Sequence, residues 1–194
     1  MRALNLKYNT SELNTLEKEI DQIQLAVDNP SAFEPLYNKY YKQIFLFIFK
    51  RTADESLAED LTSQVFFNAM TKLHQFKFQG APFSSWLYRI AYNEILLHYR
   101  SEKTKRKVHA ALRDVDALID EIGEIETNEE RLSLLKSGLS HLSEEELQLI
   151  EMKYFEHKQY QEIADITGLS VSNAKVKVHR IIKKLNKLVS NERS

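Results

Sequence analysis

Apolar residues near the C-terminal end of the chain recur with the spacing of one helix face. Ala174, Val178, Ile181, Leu185 and Leu188 follow each other at intervals of 4, 3, 4 and 3 residues. This pattern predicts a helix with a single buried stripe. The opposite side of that helix is polar and basic, because six Lys or Arg residues and no acid lie between residues 171 and 187.

A shorter helix is predicted just before it, over residues 160–167, with Ile163, Ala164 and Ile166 facing inward. Gly168 suits the left-handed turn position that most side chains resist. Ser170 can cap the helix that follows, and Leu169 can pack under the turn. Upstream, Ser143 and Glu146 form a capping-box pattern at the start of a supporting helix. Together these signals predict a helix-turn-helix.

Helical spacing also dominates the first half of the chain. One helix is predicted after Ser31, which forms a capping-box pattern with Glu34. A second is predicted from Asp54 to about Leu73, with acids at its start where the helix dipole favours them. The segment "HQFKFQGAP" interrupts the pattern, and a third helix follows over residues 83–105. Helical spacing also marks residues 127–138 and the N-terminal segment "SELNTLEKEIDQIQLAV", which could pack on the first helices or bind a partner.

Composition supports an all-α protein and excludes several functions. With only 4 Gly and 3 Pro in 194 residues, few positions suit tight turns. The absence of cysteine excludes disulfides, thiolate metal sites and cysteine nucleophiles. No signal peptide is recognisable, and the longest apolar run, Ile44 to Phe49, is far too short to span a membrane. We therefore expect a cytoplasmic protein without membrane insertion.

Charge is segregated along a chain whose net charge is only −1. Residues 31–110 carry 12 bases and 7 acids, whereas residues 111–136 carry 3 bases and 8 acids. Two basic regions separated by an acidic segment favour two polyanion-binding modules and a linker. The alternative is that these charges only solvate helix faces. The seven acids between residues 144 and 165 are interpreted as the solvent side of the supporting helix.

The basic face of the last helix is typical of a helix that enters the DNA major groove. Polar residues near its start could reach base edges, and lysines further along could hold phosphates. Val176 is apolar on this polar face and leaves two interpretations open. It is either an ordinary exposed apolar residue or a contact for a thymine methyl group.

Three segments of the first half identify a family when they are combined with this helix-turn-helix. They are "FEPLYNKYYKQIFLFIFK", "ESLAEDLTSQVFFNAM" and "FSSWLYRIAYNEILLHYR". In this order they resemble region 2 of a bacterial RNA polymerase sigma factor, and residues 139–185 resemble region 4. The chain is thus similar to the small extracytoplasmic-function (ECF) group of the sigma-70 family. The resemblance implies two small helical domains, a region 2 bundle and a region 4 helix-turn-helix, joined by a linker.

The corresponding division of the chain has four parts. We expect an N-terminal extension over residues 1–30, region 2 over 31–107, an acidic linker over 108–131 and region 4 over 132–194. The resemblance implies a factor that binds core RNA polymerase, recognises the −35 and −10 promoter elements and promotes DNA melting. Its implied partners are core RNA polymerase, promoter DNA and an anti-sigma factor, and no cofactor or metal is implied.

The resemblance also assigns roles to individual residues. The resemblance implies core-polymerase docking by four residues on one face of the second helix: Asp60, Ser63, Gln64 and Asn68. The family usually has Gln-Glu at the positions of Ser63 and Gln64. Binding of the −10 element, including capture of a flipped base by the loop, falls on the loop and third helix: Phe76, Lys77, Phe78, Gln79, Trp86, Arg89, Asn93, Arg100 and Lys103. Binding of the −35 element falls on the last helix: Ser172, Asn173, Lys175, Val176, Lys177, His179, Arg180 and Lys183.

For Trp86, and for one of the two loop phenylalanines, a role in the core is the alternative. Two other functions were weighed against the sigma factor. The helix-turn-helix also resembles the output domain of response regulators, but residues 1–130 lack the alternating strand–helix pattern of a receiver domain. An enzyme is not expected, because the six histidines are scattered and no phosphate-binding or nucleophile motif is present.

Overall fold

The computed structural model describes residues 10–78, 81–101, 118 and 128–192, and its regular elements within these ranges are all helices. Eight α-helices and their short extensions make up this part of the chain. The first four are α1 (Thr10–Asp28), α2 (Glu34–Thr52), α3 (Glu55–Thr71) and α4 (Phe83–Ser101). The last four are α5 (Asn128–Ser140), α6 (Glu144–Ile150), α7 (Tyr160–Thr167) and α8 (Val171–Glu192). Short 3₁₀ turns precede α2 and follow α3, and a π-helical turn, Glu151–Phe155, extends α6.

Helices α2, α3 and α4 pack together as the first module. Their facing sides are apolar and fully buried, with no exposed area on Ile44, Ile48, Val65, Leu87 or Ile95. This matches the predicted helical stripes, since residues three and four apart share one face of a helix. The first module is therefore a helical bundle with one continuous apolar core.

The N-terminal helix α1 packs on this bundle, as one of the two expectations for that segment had it. Ile23 and Ala26 are buried. Glu19 accepts a hydrogen bond from the Tyr40 hydroxyl and pairs with Lys39, whose Nζ lies 2.5 Å from its carboxylate. Burial and the neighbouring Glu19 carboxylate raise the pKa of Tyr40 far above its ordinary value, so the phenol stays protonated as a donor.

The predicted start of the second helix is close to the observed one, and the predicted cap before the first helix is not observed. Asp54, which was expected among the acids at the start of α3, is its N-cap, since its side chain accepts from the Leu57 N–H at 3.0 Å. The Ser31 capping box is wrong. Residues 30–33 form a 3₁₀ turn instead, in which the Asn29 side chain accepts from the Ser31 N–H at 3.1 Å. Pro30 opens this turn because its fixed φ suits the first position of a helix.

Helices α5 to α8 form the second module, and its helix-turn-helix is as predicted. Ser143 and Glu146 make both bonds of their capping box. Gly168 adopts a left-handed φ of 77° between α7 and α8. The Ser170 hydroxyl accepts from the Asn173 N–H at 3.2 Å and so caps α8. The buried stripe of α8 consists of Ala174, Val178, Ile181 and Leu185.

The two modules touch, mainly through α4 and α7. This contact corrects the expectation of solvent exposure for two of the acids that precede the helix-turn-helix. Glu151 is only 7% exposed, and the Glu156 side chain is 12% exposed, because both pair with Arg51 of α2. Leu118, from the stretch expected to be a linker, is also fully buried in the apolar core.

Among the described helices, none combines the length and the apolar composition that crossing a bilayer requires.

Candidate nucleic-acid and polymerase interfaces

The outer face of α8 presents a run of polar and basic side chains to solvent. Its buried stripe faces the module core, so the remaining positions point away from the protein. The exposed residues among those predicted to bind the −35 element are Ser172, Asn173, Lys175, Val176, His179, Arg180 and Lys183. Val176 is 47% exposed, so it is available for a contact at the DNA surface.

Lys177 differs from the other predicted −35 residues because it is paired within its own module. Its Nζ lies 2.6 Å from the Glu145 carboxylate of α6. Lys184, on the flank of the same helix, lies 2.6 Å from Glu146. These acids neutralise the side of α8 that rests on α6 and leave positive charge on the outward side. The positive charge of α8 therefore lies on its recognition face, away from the module core.

The predicted polymerase-docking face of α3 is exposed over most of its length. Asp60, Ser63 and Gln64 are all exposed. Asn68 is different, because its Nδ2 donates to Glu94 Oε1 of α4 at 2.8 Å while its Oδ1 accepts from Gln64 at 3.2 Å. Asn68 thus ties α3 to α4 and orients Gln64, and it is turned partly towards the bundle.

Sequence reasoning missed two apolar members of this face. Phe67 is 58% exposed and Met70 is 38% exposed, and helical spacing places them beside Gln64 and Ser63. A large exposed apolar side chain next to polar neighbours is common in the centre of protein–protein interfaces. The signal in the sequence was that Phe66 and Phe67 are adjacent, so both cannot face the core of one helix.

The loop before α4 and the start of α4 enclose a cavity of about 260 Å³. Phe76 packs edge-on against Phe83 at a centroid distance of 5.1 Å and lies 5.5 Å from the Trp86 ring. Gln75, Pro82 and Arg89 complete much of its lining. Phe76, Phe78 and Trp86 are each half-buried. The Phe76 and Trp86 rings also pack against the apolar core. Aromatic faces beside a cationic group suit an unstacked nucleobase.

The other residues predicted for the −10 element differ in their surroundings. Lys77, Asn93 and Arg100 are exposed. Gln79 and Lys103 lie outside the described residues. Arg89 points to the second module, where its Nε and Nη2 donate to the Asp165 carbonyl oxygen at 2.8 and 2.6 Å. Asp165 also lines the aromatic cavity.

Acids of the second module affect the pKa values of two tyrosines in α4. Burial, together with the Glu156 charge, raises the pKa of Tyr88. Burial, together with the Glu145 and Glu144 charges, raises the pKa of Tyr92. Both tyrosines therefore remain neutral at physiological pH. Within the described residues no cluster of three or more His, Asp or Glu side chains could hold a metal ion.

Comparison with known proteins assigns both modules to one family. The family model for sigma-70 region 2 matches residues 36–105, and that for sigma-70 region 4 matches residues 133–185. Together they cover well over half of the chain. The RNA polymerase sigma factor YlaC of Bacillus subtilis is 25% identical over 164 residues, covering 84% of this chain and 94% of YlaC.

One further relative agrees with this assignment, and one solved structure shows the same fold. The ECF RNA polymerase sigma factor BldN of Streptomyces coelicolor is 26% identical over 83% of this chain, which spans 61% of BldN. The solved structure of CnrH in complex with the cytosolic domain of CnrY has the same fold, with a TM-score of 0.54 and 21% identity. That match covers 88% of this chain and 96% of the solved chain. The chain therefore belongs to the sigma-70 family of RNA polymerase sigma factors, in its extracytoplasmic-function group.

Proposed function

We propose that this protein directs core RNA polymerase to promoters through three separate surfaces of one chain. Exposed residues of α3 dock on the polymerase, the loop and α4 bind the −10 element, and α8 binds the −35 element. The observation that carries this proposal is the exposed polar and basic face of α8 together with an exposed docking helix in the other module. A sigma factor is a transcription initiation factor and not an enzyme.

The docking face, as we assign it, relies on apolar contact more than on charge. Only Asp60 contributes a carboxylate among Asp60, Ser63 and Gln64, while Phe67 offers a large exposed ring. An aromatic anchor of this kind commonly supplies a large share of the binding free energy at an interface. We infer that Asp60 and Gln64 orient the partner helix and that Phe67 provides affinity.

For the −10 element, we assign base capture to the cavity beside Phe76 and Trp86. Flipping a base out of the stack costs a few kcal/mol. Stacking on an aromatic side chain returns about 1–3 kcal/mol per base, and hydrogen bonds to the base edge add to this. Melting is thus driven by binding free energy, with Lys77, Asn93 and Arg100 placed to hold the backbone.

For the −35 element, we assign base readout to Ser172, Asn173 and Val176 at the start of α8. Lys175, His179, Arg180 and Lys183 are placed to hold phosphates. Lys177 contributes less, because Glu145 already neutralises it. We infer that the protein acts in the cytoplasm, where polymerase and promoters are found, and that an anti-sigma protein binds it.

Co-elution with bacterial core RNA polymerase in size-exclusion chromatography tests the docking assignment. We expect the wild-type chain to co-elute and the Asp60→Ala/Gln64→Ala variant to do so weakly. Asp21→Ala/Gln24→Ala is a matched control, because it removes an exposed acid and an exposed glutamine from α1. Equal co-elution of both variants would reject Asp60 and Gln64 as docking residues, and no co-elution of the wild type would favour a regulator that binds DNA alone.

A further inference from the structure

The N-terminal helix α1 lies beside the segment that forms the aromatic cavity. Besides the bundle core, α1 contacts the 3₁₀ turns that precede α2 and follow α3. The second of these turns, Leu73–Gln75, leads directly into the loop, and the Phe76 N–H donates to the Leu73 carbonyl oxygen at 2.9 Å. At the other turn, the Gln22 side chain of α1 donates to the Ala32 carbonyl oxygen at 2.6 Å. The segment that precedes region 2 thus packs next to the start of the loop assigned to base capture.

A buried carboxylate of α1 fixes the position of one tyrosine of α2. The Glu19 side chain is only 8% exposed, and its Oε1 lies 2.5 Å from the Lys39 Nζ. The same oxygen accepts a hydrogen bond from the Tyr40 hydroxyl. Tyr40 is itself buried, so its hydroxyl would be left unsatisfied at a cost in free energy if Glu19 were absent. A hydrogen bond to a charged acceptor is also stronger than one between neutral groups. Glu19 therefore holds the Tyr40 ring in one orientation.

The Tyr40 ring extends this constraint to the aromatic cavity. Its centroid lies 5.7 Å from that of Phe83, with the two rings inclined at 62°. Phe83 is buried, and its centroid lies 5.1 Å from Phe76 and 5.5 Å from Trp86. Phe76 and Trp86 also contact each other, so these three rings form a closed triangle. Because aromatic pairs prefer particular relative orientations, the Tyr40 ring constrains Phe83, and Phe83 constrains both rings of the cavity.

Base capture depends on how well these two rings are held before the base arrives. A site whose side chains are fixed by their neighbours loses less conformational entropy on binding. Trp86 lies near the start of α4, but Phe76 lies at the end of a 3₁₀ turn, where the irregular loop begins. Phe76 is therefore held by its packing more than by its backbone. A contact path that reaches both rings should affect the cavity, while it leaves the exposed faces of α3 and α8 unchanged.

We propose that Glu19 and Tyr40 are positioning residues for capture of the −10 base, and that α1 acts on promoter binding through them. Glu19 acts through the Tyr40 hydroxyl, and Tyr40 acts through the Phe83 ring. The role in base capture rests on the proposed function, which gives the cavity its ligand. The contact path from Glu19 to Trp86 does not rest on it and can be tested without DNA.

Four single variants of the full chain separate positioning from a purely structural role. Tyr40→Phe removes only the hydroxyl and keeps the ring, and Glu19→Ala removes the acceptor. Glu19→Gln retains an oxygen that can accept from the Tyr40 hydroxyl, so it should behave as the wild type does. Tyr99→Phe is the matched control, because it removes another phenol of the first module, one that donates to the Arg51 carbonyl oxygen at 3.4 Å. Tyr99 lies in the last turn of α4, at the opposite end from the cavity.

Acrylamide quenching of Trp86 fluorescence tests the contact path. Trp86 is the single tryptophan of the chain and lines the cavity, so its fluorescence reports how well the cavity is packed. We expect a larger quenching constant and a red-shifted emission for Tyr40→Phe and Glu19→Ala than for the wild type, Glu19→Gln and Tyr99→Phe. Equal quenching in every protein would overturn the path. Circular dichroism fixes a temperature at which all variants are folded, so that a loss of stability alone does not change the result.

Binding of a mixed-sequence single-stranded DNA of about 12 nucleotides, followed by the same fluorescence, tests the role in base capture. We expect Tyr40→Phe and Glu19→Ala to bind at least about fivefold more weakly than the wild type, which is the low end of the loss for one stacked base. Glu19→Gln and Tyr99→Phe should bind as the wild type does, and affinity for duplex −35 DNA should be unchanged in all variants. Equal single-strand affinities would overturn the positioning role. No binding by the wild type would overturn the base capture on which that role rests, whereas the contact path is decided by quenching.

Discussion

Substitutions at the two left-handed residues, Gly168 and Ala53, should change the stability of the protein in opposite directions. Gly168 has a φ of 77° between α7 and α8, and Ala53 has a φ of 50° after α2. An L-residue in this conformation costs roughly 1–2 kcal/mol, whereas glycine adopts it without strain. Gly168→Ala should therefore destabilise the protein, and Ala53→Gly should stabilise it.

The magnitude follows from two opposing effects. Removing glycine lowers the entropy of the unfolded chain and stabilises the folded state by roughly 0.4–1 kcal/mol. A Cβ at Gly168 would meet its nearest neighbour, the Cζ of Arg89, at 3.9 Å, which is an ordinary contact. No steric clash adds to the backbone strain. The net loss for Gly168→Ala is thus about 1 kcal/mol, and the net gain for Ala53→Gly is similar.

Thermal unfolding of the full chain, followed by far-UV circular dichroism, measures both changes. For a domain of roughly 60–100 residues, 1 kcal/mol corresponds to a shift in Tm of about 4–8 °C. Gly168→Asn should fall between wild type and Gly168→Ala, because asparagine tolerates the left-handed region. Shifts of the same sign for Gly168→Ala and Ala53→Gly would refute the reasoning, as would an Asn variant no better than Ala.

Three further predictions concern single side chains. Asp54→Ala should destabilise the protein by about 1 kcal/mol through loss of the α3 N-cap, visible in urea unfolding followed by Trp86 fluorescence. Lys183→Ala should lower the slope of log affinity for −35 duplex DNA against log salt by about 1. Lys177→Ala should lower it less, because a carboxylate 2.6 Å away already neutralises that lysine. Although burial alone would raise the pKa of Glu146, the Lys184 and Ser143 hydrogen bonds lower it overall. The stabilisation that the Glu146 carboxylate provides is therefore present above its pKa in the unfolded chain, and it is lost as the pH falls through its lower pKa in the folded protein. Glu146→Gln should therefore weaken the pH dependence of stability in acid.

Much of each module could be predicted from the sequence because local signals specify it. The stripe from Ala174 to Leu185, the Gly168 turn and the capping box of Ser143 and Glu146 all depend on residues within a few positions of each other. Where a prediction of this kind failed, a competing local signal was responsible. Near Ser31, the Asn29 side chain accepts a hydrogen bond from the Ser31 N–H and caps a 3₁₀ turn instead.

The contact between the modules could not be predicted in this way, because its partners are far apart in the chain. Arg51 reads as an ordinary base at a helix end, and Glu151 and Glu156 read as solvent-facing acids. A pattern of polar residues shows which side of a helix is not apolar, but not whether another module covers that side.

The three proposed binding surfaces are largely exposed at the same time. Asp60 and Gln64 on α3 are exposed, and so is the outer face of α8 around Arg180. Arg89 differs, because it donates two hydrogen bonds to the Asp165 carbonyl oxygen of the second module. Docking on the polymerase and −35 binding can therefore precede the release of Arg89 from this carbonyl. A ligand that requires Arg89 to be released binds with an affinity reduced by the fraction of molecules in which the arginine is free.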